Sequence, residues 1–243
     1  MNNMEERYQR NILIEGIGEA GQAKLKAAKA LVIGTGGLGS PTLFYLAAAG
    51  VGEIGVVDDD VVAVSNLQRQ ILHFTNDIGQ MKTNSAQQKL AALNPEVKIV
   101  TYNDRFSTEN ATQIVNNYDI VIDCCDNFAT KFLINDVCVA SRKPFVHGAV
   151  VAMQGEVMTY VPGAACYRCL FETTLEDGMF PTASQVGILG SVAGLTGSIQ
   201  ATEAIKYLTG MNGLITNRIL FIDAGMMIFN FFSVKRRRAC ICK

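Results

Sequence analysis

Two sets of residues in this sequence have the types and spacing needed to bind a ligand. One is a glycine-rich turn followed by spaced charged residues, which could bind a nucleotide. The other is two pairs of cysteines, which could bind a metal ion. The turn lies in segment 31–39, LVIGTGGLG, where an apolar run leads into glycines. Such glycines let backbone N–H groups approach a phosphate at a helix N-terminus. The next apolar run, EIGVVD, ends in a carboxylate at the spacing that suits ribose hydroxyls. These patterns predict a nucleotide site that contains Gly34, Gly36, Gly37, Gly39 and Asp58.

Two cations decide which nucleotide is expected, because the glycine pattern alone fits a nicotinamide or flavin oxidoreductase as well as an ATP enzyme. Ser65 and Gln68 have the S-x-x-Q spacing of a capping box, which places Arg69 near the N-terminus of a short helix. Lys82 lies near the start of a helix predicted over 80–93. Cations there oppose the helix dipole, so two of them indicate an anion to neutralise. The pair favours ATP; the alternative is two solvated surface residues.

Four cysteines are spaced as metal ligands. Cys166 and Cys169 form C-x-x-C, and Cys240 and Cys242 form C-x-C. Four thiolates can complete a tetrahedral structural Zn²⁺ site. A redox C-x-x-C is the alternative, although that motif typically opens a helix in a thioredoxin-like context, which is not evident here.

Strands and helices alternate over about the first 150 residues, as a doubly wound, mainly parallel sheet requires. The apolar runs predict strands over Ala30–Gly34, Glu53–Asp58, Lys98–Tyr102 and Ile120–Cys124. After Pro144, the shorter runs FVHGAVV and GEVMTYV predict an antiparallel extension. Since no linker divides the sequence, we expect one Rossmann-like α/β domain over 1–243, with a nucleotide-binding half over about 1–150 and a zinc-bearing half over about 151–243.

Asp126 follows the predicted strand DIVIDCC at its carboxyl end, where open α/β sheets bind ligands. A carboxylate at that position is expected to contact a metal ion. The alternative is that Asp126 caps the helix that begins near Asn127. His73 and His147 are expected to be structural, because no hydrolase motif surrounds either.

Composition and sequence pattern argue against a nucleic-acid-binding protein, a membrane protein and a secreted protein. The formal net charge of −1 gives no reason to expect nucleic acid as a partner. The segment Gly187–Leu208 has glycines on one face, and its polar residues favour a close-packed core helix over a membrane span. The polar N-terminal sequence lacks a signal-peptide segment, so we expect a cytoplasmic protein without a membrane partner.

Several motifs in order resemble the ThiF/MoeB/HesA adenylyltransferases, relatives of the ubiquitin-activating enzymes, and the pattern is most similar to members that activate sulfur carriers. The motifs are RYQR, GTGGLG, SNLQRQ and DCCDN, together with Lys82, and the resemblance extends from about Arg7 to the last cysteines. It implies nucleotide contacts from Asp58, Asp60, Asn66, Arg69, Lys82, Asp126 and Asn127. It also implies that Asp126 holds Mg²⁺ and that Arg10 reaches the ATP site of the neighbour in a homodimer. The family completes its zinc site with a second C-x-x-C, one residue longer than the pair found here.

The resemblance further implies ATP-dependent adenylation of the C-terminal glycine of a small ubiquitin-like sulfur carrier ending in Gly-Gly, with the half over about 151–243 binding the carrier. A separate donor would then form a thiocarboxylate for molybdopterin or thiamine biosynthesis. A C-terminal carboxyl group is already ionised at neutral pH, so the reaction needs no general base. Positioning and charge neutralisation by Arg69, Lys82, Arg10 and Mg²⁺ at Asp126 would do the catalytic work. A NAD(P)-dependent oxidoreductase and an inactive zinc-bearing scaffold are the alternatives.

No thioester with the carrier is expected. Some relatives have a cysteine in the loop before the glycine-rich helix, but Ala183 stands at the aligned position, between Thr182 and Ser184. A methyl group or a hydroxyl cannot replace a thiolate as nucleophile near neutral pH. The other thiols fall in apolar segments and are predicted core residues: Cys124, Cys125 and Cys138.

Overall fold

One sheet with the strand order β3-β2-β1-β4-β5-β6-β7-β8 organises the protein. The computed structural model describes residues 3–171 and 183–242. The strands are β1 (Lys29–Ile33), β2 (Glu53–Val57), β3 (Lys98–Tyr102), β4 (Ile120–Asp123), β5 (Phe145–Val151), β6 (Gln154–Tyr160), β7 (Arg218–Asp223) and β8 (Ile228–Ser233). β1 to β5 pair in parallel, and β6 to β8 extend the sheet in antiparallel pairs. The predicted α/β fold class and the presence of an antiparallel extension are confirmed, but the extension begins one strand later than predicted, because FVHGAVV forms β5 and pairs in parallel with β4.

Helices cover both faces of the parallel strands. They are α1 (Asn3–Ile12), α2 (Gly18–Ala27), α3 (Gly39–Ala49), α4 (Lys82–Leu93), α5 (Ala111–Asn116), α6 (Phe128–Ala140), α7 (Tyr167–Leu170), α8 (Ala183–Val186) and α9 (Gly190–Thr209). Successive side chains of a strand point to opposite faces. Accordingly, Val32 of β1 belongs to a buried cluster with Leu43 of α3, whereas Leu31 belongs to another with Phe132 of α6. Within the described residues, no helix has the length and apolar character of a membrane span.

Close packing of α9 fixes the glycine-rich turn in place. A Cβ at Gly197 would lie 2.4 Å from the Leu38 carbonyl oxygen, and one at Gly190 would lie 2.5 Å from that of Gln68. Glycine at these positions lets α9 contact both the turn and the segment that carries Arg69. The expected core packing of this helix is confirmed, but its predicted start is wrong. Gly187 has φ +81° and lies before the helix, which begins at Gly190.

The predicted capping box at Ser65 is also wrong. Residues Val64–Asn66 form a short 3₁₀ turn, in which Asn66 Oδ1 accepts a hydrogen bond from the Ala63 N–H at 3.0 Å. The Asn66 side chain satisfies the backbone N–H of Ala63 locally, and such side-chain bonds compete with the backbone bonds of a regular helix. Arg69 therefore follows a turn and does not begin a helix, and its Nη1 donates to the Ser65 carbonyl at 2.9 Å.

Candidate nucleotide-binding site

A cavity of about 730 Å³ opens at the carboxyl ends of β1 and β4. The strand order reverses between these two strands, and open α/β sheets bind their ligands at such a point. The loops after β1, β2 and β4 form one wall, and β5, β6 and β7 contribute the other. The volume is typical of a small-molecule or cofactor site.

Thr35 and Asp58 hold the glycine-rich turn. The Thr35 N–H and hydroxyl both donate to Asp58 Oδ2, each at 2.7 Å. Asp58 Oδ1 accepts from the Asp60 N–H at 3.0 Å. Because a carboxylate oxygen has two acceptor positions, Oδ1 retains one for a ribose hydroxyl.

His73 lies between this turn and α4 and contacts both. Its Nε2 lies 3.0 Å from the Thr35 carbonyl oxygen, and its Nδ1 lies 2.9 Å from Ser85 Oγ. Burial lowers the pKa of His73 from its ordinary value, so the ring is neutral at pH 7. The neutral ring donates from Nε2 to the carbonyl, and its unprotonated Nδ1 lies beside Ser85 Oγ, whose hydroxyl donates to Asp77 Oδ2 at 3.0 Å. His73 thus joins the turn to α4 in the structural role predicted for it.

Lys82 and Arg69 bring positive charge to the cavity from different elements. Lys82 is the first residue of α4 and only 5% exposed, and its Nζ lies 2.7 Å from Asp60 Oδ2. A buried ammonium at a helix N-terminus requires an anionic partner, which Asp60 supplies. Arg69 lies beside the glycine-rich turn, where a Cβ at Gly37 would be 3.6 Å from Arg69 Cγ. Both cations line the cavity.

Asp126 presents an available carboxylate to the same cavity. It is exposed on the loop between β4 and α6, and no hydrogen bond to its side chain is made within residues 3–171 and 183–242. Asn127 caps α6 instead, because its Oδ1 accepts from the Thr130 N–H at 2.9 Å. The capping alternative for Asp126 is therefore wrong, and its carboxylate is free for a cation such as Mg²⁺.

The structure gathers most of the predicted site residues but not all of them. The cavity wall contains Gly34, Gly36, Gly37, Asp58, Asp60, Arg69, Lys82, Asp126 and Asn127. Gly39 lies behind the wall at the start of α3, where a Cβ would be 2.0 Å from the Gly34 carbonyl oxygen. Asn66 is engaged with Ala63 and is not among the residues that line the cavity.

Arg10 lies far from the cavity of its own chain. It is exposed on α1, and Asn94 Nδ2 donates to the hydroxyl of nearby Tyr8 at 2.8 Å. Asn94 follows α4 and precedes β3, so α1 packs near the amino ends of the strands. The cavity opens at the carboxyl ends, and a contribution of Arg10 to a nucleotide site therefore requires a second copy of the chain.

The sequence analysis missed several polar residues of the cavity, among them Gln70 and Arg105. Gln70 is 5% exposed, and its buried Oε1 accepts no hydrogen bond within the described part of the chain. Such an orphaned acceptor fits a hydroxyl or amino group of a bound nucleoside. Arg105 lies in the loop after β3 and adds another cation to Arg69, Lys82 and the buried Lys131. The signals were present, since Gln70 ends the SNLQRQ motif and Arg105 follows a strand at its carboxyl end.

The cysteines outside the C-x-x-C and C-x-C pairs divide between core and cavity. Cys124 and Cys138 are buried, as predicted, and burial raises the pKa of Cys124 to about 12. Cys125 departs from the core prediction in being only half-buried; it packs against a buried cluster and, like Cys124, lines the cavity. Its Sγ donates to Asp123 Oδ1 at 2.8 Å. Burial raises the pKa of Cys125 well above its ordinary value, so it remains an unreactive thiol at pH 7.

The four paired cysteines converge in one buried cluster. Their Sγ atoms all lie within 4.8 Å of one another, with 3.4 Å between Cys166 and Cys240 and 3.5 Å between Cys169 and Cys242. Tetrahedral Zn–S bonds of about 2.3 Å place the sulfurs about 3.8 Å apart. The donor set fits Zn²⁺, and the short C-x-C pair brings both of its thiols into the cluster.

The sheet, the cavity at its switch point and the buried thiol cluster define a nucleotide-binding α/β protein. The family model "ThiF family" matches residues 8–243, and the chain belongs to this family.

Comparisons with individual proteins agree with this membership. The chain is 43% identical over 235 residues to the SAMP-activating enzyme E1 of Haloferax volcanii, covering 97% of this chain and 87% of that protein. It is 41% identical over 241 residues to a sulfur carrier protein adenylyltransferase of Thermus thermophilus, covering 97% and 89%. Against the adenylyltransferase and sulfurtransferase MOCS3 of Aedes aegypti it is 39% identical, and it spans only 55% of that longer protein. The crystal structure of E. coli MccB with ATP superposes with a TM-score of 0.87 at 25% identity, covering 98% of this chain and 73% of the MccB chain.

Proposed function

We propose that this protein is an ATP-dependent adenylyltransferase that joins AMP to the C-terminal glycine of a small ubiquitin-like sulfur carrier and releases pyrophosphate. The observation that carries the proposal is the placement of Lys82, Arg69 and Asp126 around the cavity of a ThiF-family protein. Relatives of similar length are named as enzymes that activate carrier proteins. A hydride-transfer enzyme has no need of this set of charges, and the oxidoreductase alternative is not favoured.

The residues of the cavity fit the chemistry of adenylation. Backbone N–H groups of the glycine-rich turn would bind the phosphates, with Lys82 and Arg69 neutralising their charge. The carrier carboxylate, ionised without a base, attacks the α-phosphorus, so that a C–O–P bond forms while the bond to pyrophosphate breaks. Mg²⁺ held by Asp126 would stabilise negative charge on the phosphates when bound.

The exposed face of β8 suits the globular part of the carrier. All six residues of β8 are exposed; Ile228, Asn230 and Phe232 lie on the face of the sheet that carries Phe221, whereas Phe229 and Phe231 lie on the other face. Asn230 pairs with Phe221 of β7, and Phe221 lines the cavity. An exposed aromatic strand marks an interaction surface. A carrier bound there would have its tail beside the cavity entrance, in the half of the chain predicted to bind it.

We further propose a homodimer in which Arg10 completes the partner's site, because its position at the amino ends of the strands keeps it from its own cavity. The acyl adenylate would leave the enzyme and be sulfurated by a separate donor for molybdopterin or thiamine synthesis. Cys124, Cys125 and Cys138 are too strongly buried or protonated to form a thioester. Ala183, at the position aligned with a family cysteine, begins α8, and Thr182 lies outside the described residues.

The buried thiol cluster predicts one structural Zn²⁺ per chain. We expect metal analysis of the purified protein to find close to one zinc per chain, and Cys166→Ser to release it and lower the melting temperature. The reason is that the binding energy of a structural site is also folding energy. Cys138→Ser, a buried thiol outside the cluster, is the matched control and should retain zinc. Fully stable wild-type protein without zinc would return the cysteines to the redox interpretation.

The function itself is tested by mixing the protein with ATP and a small ubiquitin-like carrier ending in Gly-Gly. Release of pyrophosphate that depends on the carrier supports the proposal, whereas nucleotide-dependent hydride transfer would support the oxidoreductase.

A further inference from the structure

A buried ion cluster lies between β4, α6 and β5 beneath the cavity. Lys131 Nζ donates to both carboxylate oxygens of Asp123, at 3.2 and 3.3 Å, and to the Gly148 carbonyl at 2.7 Å. Burial alone would raise the pKa of Asp123, but the charge of Lys131 and the hydrogen bond from His147 hold it at about 2. Asp123 is therefore an ionised carboxylate inside the protein.

His147 links this cluster to the cavity wall. It is 1% exposed, its Nδ1 lies 2.8 Å from Asp123 Oδ2, and its Nε2 lies 3.1 Å from Glu156 Oε1. The ring of Tyr167, with its centroid 4.5 Å away, packs against the imidazole and fixes its orientation. Burial would raise the pKa of Glu156, but the hydrogen bond from His147 lowers it below its ordinary value. Each ring nitrogen of His147 thus lies within hydrogen-bond distance of one carboxylate, and the contact from Nε2 holds Glu156 in one position.

The second oxygen of Glu156 has no partner in the described part of the chain. Glu156 lines the cavity, its side chain is 29% exposed, and Oε2 takes part in no hydrogen bond there. In the sheet, Glu156 pairs with Ala149 on one side and Phe221 on the other. The paired residues share a face, so the carboxylate lies in an otherwise apolar row of the wall.

The charge and the hydrogen-bonding capacity of Oε2 limit the kind of ligand it can bind. A carboxylate repels the phosphates of a nucleotide, and it accepts hydrogen bonds but donates none. The second reactant of the proposed reaction is an extended, glycine-ended chain with no side chains near its end, so its backbone N–H groups are the donors it can offer. Such a hydrogen bond to an ionised acceptor is about twice as strong as a neutral one.

We infer that Glu156 binds a backbone N–H group in the C-terminal tail of the carrier, and that His147 and Asp123 are the residues that position it. This assignment rests on the proposed function and deepens it, because it names the group that aligns the tail. Glu156 acts on the carrier and not on ATP.

The test compares E156Q with the wild-type protein in carrier-dependent pyrophosphate release, using a ubiquitin-like carrier that ends in Gly-Gly. In E156Q the amide oxygen can still contact His147. The NH₂ group then takes the position of Oε2, where it donates hydrogen bonds and cannot accept one. We expect KM for the carrier to rise about 10- to 100-fold, the loss typical of a charged hydrogen bond, while KM for ATP is unchanged. E109Q, which changes an exposed carboxylate outside the cavity, is the matched control and should behave as wild type.

A chemical change in the carrier allows a first measurement with the wild-type enzyme, before any variant is used. Each of the last two amides of the carrier is replaced in turn by an ester, which removes one N–H. With wild-type enzyme we expect one ester to raise KM for the carrier, and with E156A we expect the same ester to have no further effect. Additive effects, or no effect of either ester on the wild type, would overturn the assignment and leave the proposed function standing. Failure of wild-type protein to release pyrophosphate with any such carrier would overturn both.

Discussion

Asp126→Ala and Arg69→Ala should each lower carrier-dependent ATP–pyrophosphate exchange by about 100- to 1000-fold, because each removes charge compensation at the reacting phosphates. Exchange of labelled pyrophosphate into ATP measures the effect directly. Both side chains line the cavity and neither is in the core, so the melting temperature should stay close to that of the wild type. Asp126→Asn keeps the shape of the side chain without its charge and should be impaired like the alanine variant.

E109Q serves as the control for a change of charge away from the cavity. Exchange at the wild-type rate in both Asp126 variants would refute the assignment of this carboxylate to Mg²⁺. The same result for Arg69→Ala would restore the view of that residue as a solvated surface cation.

Arg10→Ala should also lose exchange activity, and mixing it with Lys82→Ala should recover part of it. If Arg10 acts in the partner's site, a heterodimer of the two variants has one site with both defects and one site with none. Activity per heterodimer should then be about half that of the wild-type dimer. Differently tagged subunits, co-expressed and purified through both tags, give a defined heterodimer for the assay. If Arg10 acts within its own chain, both sites remain defective, and inactive heterodimers would contradict the shared site.

Structural features were predictable where a sequence pattern has only one physical explanation. The glycine-rich turn of a parallel sheet requires residues without Cβ atoms, and the structure shows why at Gly39, where a Cβ would lie 2.0 Å from a carbonyl oxygen. The apolar runs located β3 with its observed bounds and the other parallel strands to within a residue or so at each end. The cysteine spacing indicated a cluster that the fold does form.

Interactions between distant side chains were not predictable in this way. The resemblance implies a nucleotide contact from Asn66, and only the structure shows that its oxygen accepts a hydrogen bond from the Ala63 N–H, which the spacing of the residues does not reveal. His147 and Glu156 are brought together by antiparallel strands whose register the sequence leaves open. The sequence predicts individual strands and helices well. The cavity wall formed by β5, β6 and β7 depends in addition on how these strands pair, which the sequence does not show.

Mass spectrometry of the carrier after reaction with ATP, without reductant, distinguishes adenylation from every alternative reaction. We expect a carrier whose mass has increased by one AMP group, release of pyrophosphate, and no covalent adduct between carrier and enzyme. NAD⁺ in place of ATP should leave the carrier unchanged. An unmodified carrier in the presence of ATP would contradict the assigned reaction. A carrier–enzyme adduct on Cys124, Cys125 or Cys138 would contradict the conclusion that these thiols are unreactive.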